Sequence, residues 1–272
     1  MKKILDPKKD TWAEILKRPT QSYTDLEPLV AEIFDEVANQ GDVAVKKYIE
    51  KFDKANLSVL QVEDSAIERA KESISQELKN AIQLAKSNIE AFHASQKTEP
   101  IKIESTTGVV CWQEKRAIEK VGLYIPGGTA PLFSTILMLA VPAAIAGCEE
   151  VVMCTPSDAA GNVHPAVLYT ADLCGIKKIF KVGGIQAIAA MTFGTETIPQ
   201  VYKIFGPGNQ FVTVAKQMAM KFGVAIDLPA GPSELLVYAD ESATASFMAA
   251  DLLSQAEHGT DSQVILVCRS ME

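Results

Sequence analysis

The chain has 272 residues, a length that accommodates one large domain or two modest ones. Its composition, 47% hydrophobic and 22% charged, is ordinary for a soluble globular protein, and a net charge of −8 without a concentrated basic patch argues against nucleic acid as a partner. The longest apolar run, residues 136–147, is too short to cross a bilayer, and no apolar segment follows the N-terminal lysines as in a secretory signal. None of the five cysteines forms a Cys-x-x-Cys pair, so we expect reduced thiols in a cytoplasmic protein.

The N-terminal hundred residues have a helical pattern. Residues 1–20 offer too little apolar surface for a core of their own and are expected to form an arm. Apolar residues spaced three or four apart predict helices over residues 24–39, from Asp42 onward and over residues 75–95. Between them, Ser65 and Glu68 have the spacing of a capping box, which predicts a further helix start.

From residue 121 onward, short apolar runs alternate with helical segments. This alternation is typical of βαβ units on a parallel sheet, and continuous apolar strands indicate that both sheet faces are covered. The sequence therefore predicts an α/β fold. The expected strands of this block are residues 121–125, 150–154, 178–182, 201–205 and 224–228.

The C-terminal segment continues the alternation, with strands expected at residues 235–238 and 263–267 on either side of a helix. No linker separates it from the preceding block. We therefore expect residues 21–121 and 233–272 to form one discontinuous α/β domain, with residues 122–232 inserted into it as a second, ligand-binding domain.

The central strands end in glycine or proline, as in residues 126–128, 183–184 and 206–208. Such residues often serve only to turn the chain, but at the carboxyl ends of parallel strands they also let backbone N–H groups approach a phosphate. Residues 206–211 match the dinucleotide pattern G-x-G-x-x-G except that Phe211 stands at the third glycine. Asp227 follows about 20 residues on, where a ribose-binding acid is found in that pattern. The block therefore predicts a nucleotide or phosphate ligand, with an imperfect Rossmann fingerprint.

Polar side chains stand at several of these strand ends. Tyr124, Gln186 and Asn209 lie at or just beyond three of them, and Ser233 is carried on the loop that follows residue 232. Tyrosine can stack on or hydrogen-bond a ribose, and the amides can bind hydroxyls and amides of a ligand. The alternative for each is turn formation or helix capping.

Gln255 and His258 are three residues apart near the end of a helix that Gly259 would stop, so their side chains project from one face. An amide oxygen and an imidazole can bind one metal ion together, although zinc usually takes four ligands. The alternative is a solvated helix end, where the helix dipole favours histidine.

No G-x-S-x-G motif is present, which argues against a serine hydrolase. An NAD enzyme of the aldehyde dehydrogenase type would need a nucleophilic cysteine on a loop. Cys154, beside Thr155 at a strand end, is the candidate for that role.

Taken together, several long motifs resemble those of the histidinol dehydrogenases, and the resemblance runs through essentially the whole chain. It implies two incomplete Rossmann-like domains with parallel sheets, similar to those of aldehyde dehydrogenases, and an N-terminal helical segment. It further implies a zinc-dependent homodimer that oxidises L-histidinol to L-histidine with NAD through an aldehyde, the last step of histidine biosynthesis. The matching segments are residues 121–128, 182–189, 205–209, 226–234 and 253–259.

The resemblance also assigns roles to individual residues. Tyr124, Gln186 and Asn209 would contact NAD. Ser233, Gln255 and His258 would contact the substrate, and Gln255 and His258 would in addition ligate zinc. These are the residues that match the motifs of the family at its cofactor and substrate sites.

The remaining functional groups of the family lie beyond residue 272. They are a Glu-His pair that activates water and acts as general acid and base, and an Asp and a His that complete the zinc site, the last from the partner subunit. No motif match transfers these roles to Asp251, Glu257 or Asp261. We therefore expect the 272-residue chain alone to be inactive. The alternative function is that of a truncated, non-catalytic protein that retains only nucleotide binding or association.

Overall fold

The computed structural model describes residues 2–17, 23–127, 131–229, 233–257 and 262–269. The chain forms two compact units, one of Leu26–Ala230 and one of Met1–Asp25 with Gly231–Glu272. Helices alternate with parallel strands, so the predicted α/β class is confirmed. Within the described residues, no helix is both long enough and apolar enough to cross a membrane.

The secondary structure follows the predicted order closely, and the seven expected strands are all present. A 3₁₀ turn (Lys9–Thr11) precedes the first helix, and a π turn (Ile49–Asp53) extends the third. The helices are α1 (Trp12–Ile15), α2 (Tyr23–Gln40), α3 (Asp42–Tyr48), α4 (Asp64–Ser73), α5 (Gln76–Ala94), α6 (Phe133–Ala146), α7 (Pro165–Leu173), α8 (Gly184–Phe193), α9 (Gln210–Lys221) and α10 (Ala245–Ala256). The strands are β1 (Ile101–Thr106), β2 (Val109–Gln113), β3 (Lys120–Tyr124), β4 (Glu150–Thr155), β5 (Lys178–Lys181), β6 (Lys203–Phe205), β7 (Ala225–Ile226), β8 (Glu234–Ala239) and β9 (Gln263–Cys268).

The larger unit is organised around a five-stranded sheet in the order β5-β4-β3-β6-β7, in which every neighbouring pair is parallel. The chain builds outward from β3 to β5 and then crosses back to the other side of β3. Side chains that alternate along the strands enter different cores, as expected for a period of two. Leu123 and Met153 pack with α6 and α7, whereas Tyr124 and Cys154 pack with α8 and α9. Both faces are therefore covered, as the continuous apolar strands predicted.

The N-terminal helices share the cores of this sheet, which differs from the predicted boundary at residue 121. Helices α3, α4 and α5 contact α8, α7 and α6 respectively. Ile33 and Phe34 are buried in the same cluster as Ile188, and Ile82 packs against Leu137. The change in composition near residue 108 thus marks a change from helices to strands rather than a change of core. The inserted arrangement of residues 122–232 within a longer protein stays a prediction.

Two local features differ from expectation. The N-cap of α4 is Glu63, and the hydroxyl of Ser65 donates to the Glu63 carboxylate at 3.3 Å, so Ser65 does not form the expected capping box. An antiparallel hairpin of β1 and β2, joined through Gly108 at φ +81°, was not predicted. All residues of both its strands are exposed, so no buried face gives it the hydrophobic alternation of an ordinary strand.

In the smaller unit, β8 and β9 pair in parallel, and α10 connects them and contacts both. This is a βαβ unit, as the alternation of residues 233–272 predicted. The helix α1 of the expected N-terminal arm belongs to the same unit, where the amide of Gln263 donates to the Lys17 carbonyl at 3.5 Å.

Candidate functional site

The order of the sheet reverses between β3 and β6, so a crevice is expected outside the carboxyl ends of these two strands. In open α/β sheets ligands bind at such a point. The two strand ends approach closely at Gly206, whose φ is +135°. A Cβ atom at this position would lie 2.1 Å from the Tyr124 carbonyl oxygen, so only glycine fits. The glycine after β6 therefore brings its loop against the end of β3.

Tyr124 ends β3, and its ring is buried. The backbone N–H of Gly184, at the start of α8, donates to its hydroxyl oxygen at 3.0 Å. Burial raises the pKa of this hydroxyl to about 12, so Tyr124 is a neutral hydrogen-bond donor at physiological pH rather than a base. The contact ties the ends of β3 and β5 together.

Gln186 lies in the first turn of α8 and is completely buried, at 0% exposure. Neither its amide oxygen nor its amide nitrogen has a hydrogen-bond partner. Buried amides without a partner are costly and rare. A Cβ atom on Gly184 would lie 3.1 Å from the Gln186 Oε1, which places the unpaired amide beside the Tyr124 contact. The position is suited to a ligand that supplies the missing hydrogen bonds.

Asn209 is the N-cap of α9, where its Oδ1 accepts from the Val212 N–H at 3.1 Å. The alternative of helix capping considered for this residue is therefore real, and capping occupies the amide oxygen. The side chain is exposed at the carboxyl end of β6. Asn209 thus stands at a helix N-terminus, a position that favours anions.

Asp227, which stands where the dinucleotide pattern has a ribose-binding acid, is engaged within the protein. Its Oδ2 accepts from the Gly206 N–H at 2.9 Å, and its Oδ1 accepts from the Leu228 N–H at 2.7 Å and from the Lys216 ammonium. Lys216, only 2% exposed, also donates to the Gly206 carbonyl at 2.7 Å. Both carboxylate oxygens thus serve to anchor the Gly206 loop.

Cys154, the candidate nucleophile of the aldehyde dehydrogenase type, is completely buried in β4. Burial raises the pKa of its thiol, which disfavours the reactive thiolate. The position gives it a packing role in the core shared with α8.

Sequence reasoning missed two polar side chains near this crevice. Asp53 Oδ2 and Ser157 Oγ are buried and have no hydrogen-bond partner. Burial raises the pKa of Asp53 to about 6. Ser157 lies just after a strand end, but so do several other polar residues, so this position alone did not single it out. Asp53 ends a helical segment far away in sequence, so no local pattern points to it.

The remaining expected site residues belong to the smaller unit. Ser233 is exposed directly before β8. The amide nitrogen of Gln255, near the end of α10, donates to the Ser262 hydroxyl at 3.1 Å, which leaves the amide oxygen as its possible metal ligand. His258 lies outside the described residues, so the expected pairing with Gln255 has no geometry here. Among the residues that the structure describes, no group of three or more His, Cys, Asp or Glu side chains could hold a metal ion.

Comparisons with known proteins agree with the motifs. The family model described as Histidinol dehydrogenase matches residues 16–272. A histidinol dehydrogenase of Bacteroides thetaiotaomicron is 60% identical over 270 residues, which cover 99% of this chain and 63% of the relative. That of Escherichia coli is 53% identical over 257 residues, or 93% of this chain and 58% of the relative.

A solved structure gives the same result. The crystal structure of histidinol dehydrogenase from Elizabethkingia anophelis matches with a TM-score of 0.89 and 57% identity, over 97% of this chain and 61% of that one. The chain thus spans about three fifths of the length of the proteins it matches.

Proposed function

Because this chain belongs to the histidinol dehydrogenase family, we propose that the protein of which it forms part oxidises L-histidinol to L-histidine with NAD, in two steps through the aldehyde. The observation that carries the proposal is the match over residues 16–272. The reversal of strand order between β3 and β6, with polar residues after these strands, also supports the proposal. The reaction would be the last step of histidine biosynthesis.

In this proposal, the larger unit is an incomplete Rossmann-like domain that binds NAD. Its strand order, with the reversal between β3 and β6, is suited to a dinucleotide. NAD fits the residues present because the unpaired amide of Gln186 needs a partner, and the carboxamide and hydroxyl groups of NAD can supply one. Tyr124 would donate its hydroxyl proton to the cofactor, and Asn209 would bind it through the amide nitrogen. NAD, once bound, accepts hydride from the substrate.

Ser233, Gln255 and His258 would bind L-histidinol, and the last two would also ligate zinc. An amide oxygen and an imidazole are acceptable zinc ligands, but they make up only half of a tetrahedral set. The rest of the set, like the general base, would come from residues after 272 and from the partner subunit. We accordingly assign to Ser233 only the positioning of the substrate.

We further propose that the full-length protein is a cytoplasmic homodimer. Its partner is then a second copy of the same chain, and we expect neither nucleic acid nor membrane among its ligands. The formal net charge of −8 is consistent with a small-molecule substrate rather than a polyanion.

Replacement of Gln186 by methionine tests the cofactor site. Methionine keeps the volume of the side chain but removes both unpaired amide atoms, so the melting temperature should be unchanged or higher. The dissociation constant for NAD, measured by calorimetry on the full-length protein, should rise by about two- to tenfold for the lost hydrogen bonds. Gln96→Ala, which removes an exposed amide at the end of α5, is the control and should bind NAD normally.

Asn209→Ser is the matching variant on the other side of the crevice. Serine is also a good N-cap, so α9 keeps its cap while the amide nitrogen is lost. NAD should bind about two- to tenfold more weakly. Unchanged affinity in both Asn209→Ser and Gln186→Met would remove these residues from the cofactor site.

A further inference from the structure

Buried side-chain polar atoms without a hydrogen-bond partner are concentrated in one part of the larger unit. Within the described residues there are five such atoms, and four of them belong to Asp53, Ser157 and Gln186. Folded proteins pair nearly all of their buried polar groups, so each of these atoms calls for an explanation. A ligand that binds all three residues would provide one.

The three residues lie around the same strand ends. The Gln186 amide lies beside Gly184, whose N–H donates to the Tyr124 hydroxyl. Ile49 and Ala55, on either side of Asp53, are buried in the same cluster as Tyr124 and Ala187, which brings this turn to the same side of the sheet. Ser157 follows Pro156, which lies so close to Gly183 that a Cβ atom there would be 2.7 Å from the proline Cβ.

The chain around Asp53 has an unusual backbone conformation. The π turn Ile49–Asp53 ends at Lys54, a non-glycine residue in the left-handed region with φ +58°. The Lys54 ammonium donates to the Lys51 carbonyl at 2.8 Å and so closes the turn. Single π turns and strained residues of this kind are frequent at functional sites.

Dinucleotide sites of this architecture usually have an acid that binds a ribose hydroxyl. Asp227, at the expected place in the sequence, is engaged by Lys216 and by the Gly206 N–H. Asp53 is the acid near the crevice whose Oδ2 lacks a partner. A carboxylate can accept hydrogen bonds from two hydroxyl groups and is therefore well matched to the vicinal diol of a ribose.

We propose that the Asp53 carboxylate binds a ribose hydroxyl pair of NAD, beside Tyr124 and Gln186. The inference rests on the proposed function, since it requires that NAD occupies this crevice. Asp53 would then have the role that the Rossmann-type pattern assigns to an acid at residue 227. A bound ribose would also give the buried Asp53 Oδ2 the hydrogen-bond partner that it lacks within the protein.

Calorimetric titration of the full-length protein with NAD tests this role. Asp53→Asn should weaken NAD binding about tenfold or more, since hydrogen bonds to a charged group are lost. Its melting temperature should stay the same or rise, because an unpaired buried carboxyl is removed. A merely structural Asp53 would instead lower the melting temperature and leave the affinity unchanged. Glu50→Gln, an exposed acid of the same turn, makes the identical charge change and should bind NAD normally.

A parallel titration with NADP identifies the ribose. If Asp53 binds the adenosine ribose, the wild type should prefer NAD to NADP, because the acid repels the 2′-phosphate of NADP. Asp53→Asn should then lose part of that preference. If it binds the nicotinamide ribose, both cofactors should weaken equally. Equal NAD affinity of Asp53→Asn and Glu50→Gln would overturn the inference while the proposed function stands. A wild-type protein that does not bind NAD would overturn both.

Discussion

Mixed with L-histidinol, NAD and added zinc, the 272-residue chain on its own should form no measurable NADH, whereas the full-length protein should turn over. The chain covers 63% of the Bacteroides thetaiotaomicron relative, and the resemblance places the general base and two zinc ligands beyond residue 272. Loss of a general base alone commonly costs roughly 10²–10⁴-fold in rate. A zinc site with half of its protein ligands should also bind the metal far more weakly.

The comparison is sharpest when both proteins are assayed by absorbance at matched concentration and NAD binding is measured on each by calorimetry. The larger unit contains Tyr124, Gln186 and Asn209, so the shorter chain should still bind NAD. Binding without turnover corresponds to the non-catalytic alternative for the chain as such. Robust turnover by the 272-residue chain would mean that acids within it, such as Glu257 or Asp261, carry out the chemistry.

Within the same experiment, His258→Ala in the full-length protein should lower both zinc content and turnover, because imidazole is the stronger of the two proposed ligands, Gln255 and His258. His93→Ala is the matched control. His93 lies in α5, where its Nδ1 is 2.9 Å from the Gln96 Oε1, and it has no part in the proposed site. Normal zinc content in His258→Ala, measured by atomic absorption, would remove His258 from the metal site.

The strands were predictable because most of their residues are buried, on whichever face of the sheet they lie. Parallel strands covered on both faces consist of continuous apolar runs, and β3 and β4 are mainly of this kind. Each is followed by glycine or proline, so its end was marked as well. The same logic selected Tyr124, Gln186 and Asn209, since residues after parallel strands meet at one edge of the sheet, and their role there stays a prediction. The family resemblance then supplied the ligand, which position alone left open.

What escaped prediction depends on contacts between distant residues. The engagement of Asp227 requires Lys216, eleven residues earlier on α9, and the backbone of Gly206. The position of Asp53 depends on packing between α3 and α8, which no local pattern encodes. Helices α4 and α5 would have the same amphipathic pattern in a separate N-terminal domain as they have against the helices of the central sheet. Their periodicity therefore could not decide where the domain boundary lies.

The ion pair between the buried Lys216 and the partly exposed Asp227 leads to the second large expected effect. Lys216→Met should lower the free energy of unfolding by about 1–3 kcal/mol, the usual cost of leaving a hydrogen-bonded group without its partner. Methionine fills much of the space but leaves the Asp227 carboxylate without its counter-charge and the Gly206 carbonyl without the ammonium donor. Urea denaturation, followed by circular dichroism on the full-length protein, measures the loss.

Two further variants separate the charge from the loop geometry. Lys221→Met, at the exposed end of the same helix, is the control and should unfold like the wild type. The double variant Lys216→Met/Asp227→Asn removes both charges, while the asparagine Oδ1 can still accept from the Gly206 N–H, so it should regain much of the lost stability. If Lys216→Met is as stable as Lys221→Met, the pair does not anchor the loop. Because this loop leads directly into Asn209, the folded Lys216→Met variant should also bind NAD more weakly than the wild type. The double variant should recover part of that affinity, because its loop regains its place against Tyr124.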